Sequence, residues 1–211
     1  VIRGTRVTED YVALDLGGEG RGELAWQVAD GGRRVIAVTA DRGVVLPLAT
    51  ATEADTLSPL RVEDWRRNVV IHGRTVRAAD WAFPPRTWKL GDESWVGYGV
   101  APVVGGIGAE VSLDGYLLLP DLPDLALDVR LGRLGGAGDG IHFVVRVNGR
   151  EIWRQASPAN RRGWTRAVIP LDDYAGETVV LSLAVDAGTA GFNLSNDHAF
   201  WGEPRLIQQL P

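Results

Sequence analysis

The sequence contains no cysteine and no methionine, and Lys89 is the only lysine among its 22 basic residues. Without cysteine the chain can form neither a disulfide framework nor a thiolate metal site. A chain rich in arginine and free of both sulfur residues is compatible with a GC-rich or thermophile source, although arginine enrichment alone does not identify one.

Long apolar runs and basic tracts are also absent. No stretch approaches the roughly 18 consecutive apolar residues that a membrane span requires. The formal net charge is −5, which is unfavourable for binding the phosphate backbone of a nucleic acid. We therefore expect neither a nucleic-acid partner nor a membrane span.

Catalytic sequence motifs are missing as well. The sequence has no G-x-S-x-G elbow, no phosphate-binding glycine loop and no H-E-x-x-H zinc motif. Its three histidines, His72, His142 and His198, are far apart and share no spacing. We predict no catalytic residues and expect that the protein is not an enzyme.

Short alternating apolar runs between turn residues dominate what remains, with 27 glycines and 11 prolines. This pattern predicts an all-β fold. The strongest turn signal is Asn148-Gly149. It predicts a hairpin that pairs Val147 with Arg150 and Arg146 with Glu151. The same register continues through the pairs Val145–Ile152, Val144–Trp153 and Phe143–Arg154.

That register also assigns faces. It places Ile141, Phe143, Val145, Val147 and Ile152 on the core side. The outer side then carries His142, Val144, Arg146, Glu151 and Trp153, with an Arg146–Glu151 ion pair across the strands.

Turn residues divide the rest of the chain. The pattern predicts an N-terminal β-meander over residues 1–50, with strands at YVALDL, GELAWQV and RRVIAVTA and a turn at Gly31-Gly32. Residues 49–61 predict a linker, and residues 60–211 the main sandwich, with a second hairpin turn at Asp114-Gly115. A three-stranded meander is marginal alone, so we expect it to pack on the sandwich or on a neighbouring subunit.

Three segments near the end of the chain carry a resemblance: IHFVVRVNGREIW, LDDYAGETVVLSLAVDAG and NDHAFWGEPRL. They resemble the galactose-binding-like β-sandwich superfamily, and in particular the NPCBM type of carbohydrate-binding module. The resemblance implies an antiparallel β-sandwich of the jelly-roll class. It also implies an extracellular or cell-surface location, with a signal peptide removed.

Tryptophan beside polar side chains is the pattern expected of a sugar site, because an indole face stacks on the C–H face of a sugar ring. Two groups have this composition: Trp153 with Arg146 and Glu151, and Trp201 with Asp197 and His198. Subunit interfaces use the same residue types. Trp65, Trp81, Trp88 and Trp95, near Pro84-Pro85, are interpreted as a packed loop cluster.

The resemblance also suggests a structural calcium ion, although no cofactor is required. Oxygen ligands are available at Asp139, Asp197 and Glu203. The sequence has no D-x-D-x-D-G calcium loop, so turn-forming carboxylates are the competing interpretation.

These observations support two functional hypotheses. The first is a non-enzymatic, extracellular structural subunit that self-assembles into a filament, surface layer or coat, with copies of itself as partners. Its basis is the missing reactive cluster and an N-terminal meander that needs support, and its mechanism is strand addition. The alternative is a carbohydrate-binding module that recognises a galactose-like glycan through surface tryptophans.

Overall fold

The described residues fold mainly into β-strands. A computed structural model describes residues 2–7, 11–16, 21–27, 33–39, 44–48, 50–71, 74–76, 82–100, 110–135, 139–187 and 198–209. Single-turn 3-10 helices lie at Val62–Asp64 and Asp172–Tyr174. In chain order the strands are β1 (Ile2–Val7), β2 (Tyr11–Leu16), β3 (Arg21–Gln27), β4 (Arg33–Thr39), β5 (Val44–Pro47), β6 (Thr52–Glu53), β7 (Arg66–Ile71), β8 (Arg74–Val76), β9 (Ala82–Leu90), β10 (Glu93–Val100), β11 (Glu110–Leu118), β12 (Leu125–Arg133), β13 (Ile141–Val147), β14 (Arg150–Ser157), β15 (Gly163–Pro170), β16 (Thr178–Asp186) and β17 (Ala199–Gln208).

Two antiparallel sheets form the main body. One is five-stranded, in the order β15-β12-β17-β10-β9, and the other is seven-stranded, with β14-β13-β16-β11-β7-β8 in line and β6 beside β11. Alternate side chains of both sheets meet in one apolar core, as shown by Val129 of β12, Phe143 of β13 and Leu183 of β16. The ring of Phe143 meets Trp201 of β17 edge-on at 5.1 Å between centroids. The predicted β-sandwich is confirmed.

The Asn148-Gly149 turn forms as the sequence predicts. Val147 pairs with Arg150 and Arg146 with Glu151, while Asn148 and Gly149 have φ angles of 53° and 84°. Asn148 contributes more than its backbone conformation. Its buried side-chain oxygen accepts a hydrogen bond from the backbone N–H of Val180 at 2.9 Å, which ties the turn to β16.

Beyond Glu151 the predicted register is wrong. A β-bulge leaves Ile152 as an extra residue, so Val145 pairs with Trp153 and Val144 with Arg154. A one-residue shift moves side chains to the opposite face of the sheet. Trp153 therefore packs against the main core, and the prediction that it lies on the outer face is wrong.

Asp114-Gly115 is not a turn, because β11 runs straight through it. Asp114 is buried and accepts a hydrogen bond from the side-chain nitrogen of Asn68 at 2.6 Å. A Cβ atom at Gly115 would lie 2.3 Å from Cε2 of Trp65. Within the strand, Asp114 is a hydrogen-bonded carboxylate and Gly115 leaves space for an indole ring. The predicted second hairpin is therefore wrong.

The N-terminal strands form two small units. β1, β2 and β5 make a three-stranded sheet, while β3 pairs with β4. The predicted strands are present, but β2 and β3 lie in separate sheets, so their joining in one meander is wrong. The Gly31-Gly32 turn lies outside the described residues.

The first strands pack against the same chain. Tyr11 of β2 is 1% exposed and shares an apolar cluster with Val45, Tyr116 and Val180. The rings of Tyr11 and Tyr116 are 5.3 Å apart between centroids. Tyr116 and Val180 lie on the outer face of the seven-stranded sheet, so the N-terminal strands cover part of that face.

The predicted linker is part of the fold. Thr52 and Glu53 pair in parallel with Leu117 and Leu118 of β11, and Leu60 is buried in the main core. This chain segment connects the N-terminal sheet to β7 without leaving the body of the protein. The division at residues 50 and 60 into two domains stays a prediction.

Asn148 provides a test of the turn. We expect Asn148→Gly to lower the free energy of unfolding by about 1–3 kcal/mol, because the buried N–H of Val180 loses its acceptor. Asn148→Ala should cost about 1–2 kcal/mol more, since alanine also disfavours a positive φ angle. Urea unfolding of both variants measures the cost of the lost hydrogen bond and the cost of the positive φ angle. Equal stabilities of the two variants would contradict the cost assigned to the φ angle.

Candidate functional site

The outer face of the five-stranded sheet carries a cluster of aromatic side chains. Trp88 of β9, Trp95 of β10, Trp164 of β15 and Phe200 of β17 project from four of its strands. The three tryptophans are partly exposed, whereas Phe200 is buried beneath them. We call this group of four residues the tryptophan face.

Three glycines on adjacent strands make room for Trp164. Gly97, Gly132 and Gly202 belong to β10, β12 and β17, and Gly97 pairs directly with Gly202. A Cβ atom would lie 2.5 Å from the Trp164 ring at Gly132, 2.8 Å at Gly202 and 3.0 Å at Gly97. The six-membered ring of Trp164 therefore lies directly on the backbone of the sheet, where any larger residue would displace it.

The other aromatic residues extend this surface. Trp88 packs on Phe200 with 4.2 Å between centroids, and Trp164 lies 6.2 Å from the same ring. Trp95 is paired directly opposite Trp88. Two indole N–H groups have fixed acceptors: Trp88 Nε1 donates to the Gly97 carbonyl at 3.2 Å, and Trp95 Nε1 donates to Glu93 at 2.9 Å. These bonds restrict the orientation of both rings.

Charged side chains border the aromatic surface. The guanidinium of Arg130 lies 4.6 Å from the centroid of the Trp95 ring, and that of Arg86 lies 3.7 Å from the centroid of the Trp88 ring. Asp128 accepts hydrogen bonds from Arg130 at 3.0 Å and from Arg166 at 2.8 Å. Burial alone would raise the pKa of Asp128, but its hydrogen bonds and ion pairs with both arginines hold that pKa below the usual value.

The arrangement suits a ligand with flat C–H faces and polar groups at its edges. Indole faces supply apolar contact area, and an ordered Asp and Arg border supplies acceptors and donors at fixed positions. The borders of the tryptophan face carry both signs of charge, so no single sign is selected.

Trp201, a predicted binding residue, lies elsewhere. It is 0% exposed and faces the main core, so it has no surface to offer a ligand. Its selection from sequence is wrong because odd-numbered residues at the start of β17 point inward, while Phe200 points outward.

The other predicted cluster, around Trp153, forms an ion network. Arg146 contacts Glu110 at 2.6 Å and Glu151 at 3.7 Å. Arg154 binds Glu151 through two hydrogen bonds and also contacts Asp186. The hydrogen bond from Arg154 lowers the pKa of Glu151. Arg146 and Glu151 therefore hold protein partners, and the bulge removes Trp153 from their side of the sheet.

The remaining candidates do not assemble into a cluster that the structure describes. His198 is partly buried just before β17, and Asp197 lies outside the described residues. Asp139 is exposed, and Glu203 is paired with Arg205 at 2.7 Å. Across the described ranges no three His, Cys, Asp or Glu side chains are placed to hold a metal ion, and the structural calcium ion stays a prediction.

The interpretation of Trp88 and Trp95 as members of a packed loop cluster is wrong, because both lie in strands. In WKLGDESW a two-residue turn, Gly91-Asp92, separates β9 from β10 and sets Trp88 opposite Trp95. Gly-Asp between alternating residues is a hairpin signal. Trp164 has no comparable local signal, because its position depends on three glycines from other strands.

Known proteins were compared with this chain. No protein-family model matches it, and no curated protein matches it. Among solved structures, one similar chain holds the CBM51-2 and INT domains of Clostridium perfringens ZmpB in complex with GlcNAc: identity is 13%, TM-score 0.48, and the match covers 98% of this chain and 40% of that one. This chain thus spans well under half of that structure.

Two further similar structures are single modules. The CBM51 from Clostridium perfringens GH95 in complex with methyl-galactose is 14% identical with a TM-score of 0.39, covering 98% of this chain and 94% of that one. The family 11 carbohydrate-binding module of the Clostridium thermocellum cellulase Lic26A-Cel5E is 12% identical with a TM-score of 0.41, covering 77% and 98%. At such low identities these structures do not assign a ligand to this chain.

The hypothesis of a self-assembling structural subunit is wrong. The N-terminal strands that were to reach a neighbouring molecule instead contact the seven-stranded sheet of their own chain through Tyr11. The described part of the chain contains no helix long and apolar enough to cross a membrane.

Asp128 gives a pH-dependent test of the charged border. Its lowered pKa means that the carboxylate stabilises the fold above the ordinary Asp pKa of about 3.9, and that this stabilisation disappears as the pH falls through the lowered value. We expect Asp128→Asn to lower the free energy of unfolding by about 1–2 kcal/mol at pH 7. The difference from the parent should shrink as the solution is acidified.

Urea unfolding at several pH values measures this difference, with Asp92→Asn, at an exposed turn position, as the matched control. A destabilisation by Asp128→Asn that stays constant between neutral and acid pH would contradict the assigned ion pairs.

Proposed function

We propose that this chain is a non-catalytic carbohydrate-binding module that holds a glycan on the tryptophan face. The observation that carries the proposal is the position of Trp164. Its ring lies on Gly97, Gly132 and Gly202 while part of its surface stays exposed. A partly exposed indole fixed on sheet backbone is a preorganised platform, and preorganisation reduces the entropic cost of binding.

The size of the surface favours more than one sugar ring. Strands in a sheet are about 4.8 Å apart, so the span from β15 to β9 is on the order of 19 Å. Trp164 and Trp88 lie on opposite sides of Gly97, and Trp95 lies beside Arg130. A short oligosaccharide crossing the strands would contact all three rings. A galactose-like unit, suggested by the sequence resemblance, is the first candidate component.

A neutral or weakly charged glycan fits the border of the face. Asp128 is shared by Arg130 and Arg166, and Glu203 is paired with Arg205. These three arginines and two carboxylates leave only one positive charge in excess, and all five hold fixed positions. They can therefore offer directed hydrogen bonds to the hydroxyl groups of a neutral or weakly charged ligand. Glycans of this kind are found on cell surfaces and in extracellular matrices, so we also propose an extracellular or cell-surface location.

Tryptophan variants test the proposal. Screening on a glycan array followed by calorimetry with the best oligosaccharide should give saturable binding. Trp164→Ala should weaken it about 5- to 30-fold, since one well-placed aromatic contact is worth on the order of 1–2 kcal/mol. Trp88→Ala and Trp95→Ala should weaken it to a smaller extent, in keeping with their positions beside the central ring.

Trp153→Ala is the matched control, because Trp153 is also partly exposed but belongs to the seven-stranded sheet. It should leave the affinity unchanged in variants that retain the native circular dichroism spectrum. If Trp153→Ala abolishes binding and Trp164→Ala does not, the glycan site is not on the tryptophan face.

A further inference from the structure

The seven-stranded sheet has a gap beside β11. On one edge of β11, Asp114 pairs with Arg66 of β7, and Leu117 pairs with Thr52 of β6. Gly115 and Tyr116 lie between these two paired positions. On that edge of β11 no described strand pairs with them. The peptide groups of successive residues in a strand point to alternate sides, so one of the two residues directs its N–H and C=O toward the gap.

The segment between β6 and β7 borders this gap and, together with residues of β2 and β11, lines a partly open cavity of about 390 Å³. This volume falls in the range of sites for small ligands. The walls are aromatic on several sides, with Trp65 from the arch, Tyr116 from β11 and Tyr11 from β2. Hydroxyl groups of Thr52 and Ser58 also line it.

Trp65 occupies the inner side of the gap because residue 115 is glycine. The indole ring takes the space where a side chain at this position would lie, with Cε2 2.3 Å from the position of a Cβ atom. Trp65 is 8% exposed, and it contributes to the cavity wall while it packs on the core. The cavity therefore has a fixed aromatic wall.

Several charged groups that line the cavity have partners within the protein. Arg61 pairs with Asp64 at 3.1 Å. Asp55 accepts hydrogen bonds from the backbone N–H groups of Leu57 and Ser58 at 2.8 and 3.0 Å. Asp114 accepts the bond from Asn68 described above. The lining holds four carboxylates and two arginines, which disfavours an anionic ligand. Asp55, Asp64 and Asp114 already accept bonds from protein donors, which reduces their attraction for a cation.

We propose that this cavity is a second ligand site, which binds one ring of a neutral monosaccharide. Aromatic walls provide contact for the C–H face of the ring, and the backbone, hydroxyl and charged groups provide both donors and acceptors for its hydroxyls. The site lies on a different sheet from the tryptophan face, so the inference does not rest on that surface. Because Tyr11 forms part of the wall, a bound sugar would also contact the N-terminal sheet.

The experiment uses the full chain and separates the two sites. Glucose, galactose, mannose and N-acetylglucosamine are titrated by NMR into the protein and into the Trp164→Ala variant, with glucosamine and glucuronate as charged probes. At least one neutral sugar should bind saturably at millimolar concentration in both proteins. The indole signal of Trp65 should shift on binding, and the charged probes should bind more weakly.

Two variants test the position of the site: one is designed to block the cavity and the other to leave it open. Ser58→Trp places an indole at the exposed rim of the cavity and should weaken binding at least 10-fold. Leu57→Trp is the matched control, since Leu57 is 92% exposed and does not line the cavity, and it should leave the affinity unchanged.

Any of three results would overturn the proposal: saturable binding by none of the neutral sugars, preference for a charged probe, or equal affinities in the Ser58→Trp and Leu57→Trp variants. Loss of oligosaccharide binding in Trp164→Ala, with monosaccharide binding at the cavity retained, would show that the two sites are separate.

Discussion

The contact between Trp164 and the backbone of three strands is the constraint on which the functional surface depends. An indole can contact the backbone of a sheet only where the strands beneath it have no side chains on that face, and Gly97, Gly132 and Gly202 meet this requirement together. On the opposite face of the same strands, Val129 and Leu131 of β12 fill the main core. Strand alternation thus produces an apolar core on one side and an aromatic platform on the other. Because the platform rests on paired strands rather than on loops, its geometry is fixed before a ligand arrives.

The outer faces of the two sheets differ in how many side chains are exposed for contact with a ligand. On the seven-stranded sheet, Tyr11 packs over Tyr116 and Val180, and the ion network of Arg146, Glu151 and Arg154 satisfies its own charges. That face is therefore occupied by groups of the same chain, apart from the gap beside β11. On the five-stranded sheet the tryptophans remain partly exposed. This asymmetry supports the proposal that a glycan binds on the five-stranded sheet.

Local signals in the sequence predict much of the fold. The positive φ angles at Asn148-Gly149 are a property of those two residues, so the turn and its nearest pairs could be written down from sequence. The bulge at Ile152 could not, because Ile152 and Trp153 are both apolar and either could take the core-facing position. The turn predicted at Asp114-Gly115 was wrong because contacts from distant residues also decide the structure there. The residues suit a turn, but Asn68 and Trp65 from elsewhere in the chain give them partners within a strand.

The functional surface was harder to predict than the fold, since it is assembled from distant segments. Trp88 and Trp95 belong to one hairpin, and the turn between them can be predicted from sequence. The position of Trp164 depends on glycines of three other strands, which no local pattern indicates. Trp201, by contrast, lies in the segment that carries the family resemblance, yet strand parity places it in the core. Resemblance in sequence identified the kind of fold, and side-chain direction, which depends on register, decided which tryptophans are available.

The eight tryptophans allow one direct measurement of the central claim, because each gives its own indole N–H signal in a ¹H–¹⁵N spectrum. A saturating amount of a bound oligosaccharide should shift the signals of Trp88, Trp95 and Trp164 and leave those of Trp153 and Trp201 in place. A spectrum in which Trp153 or Trp201 responds while Trp164 does not would contradict the account.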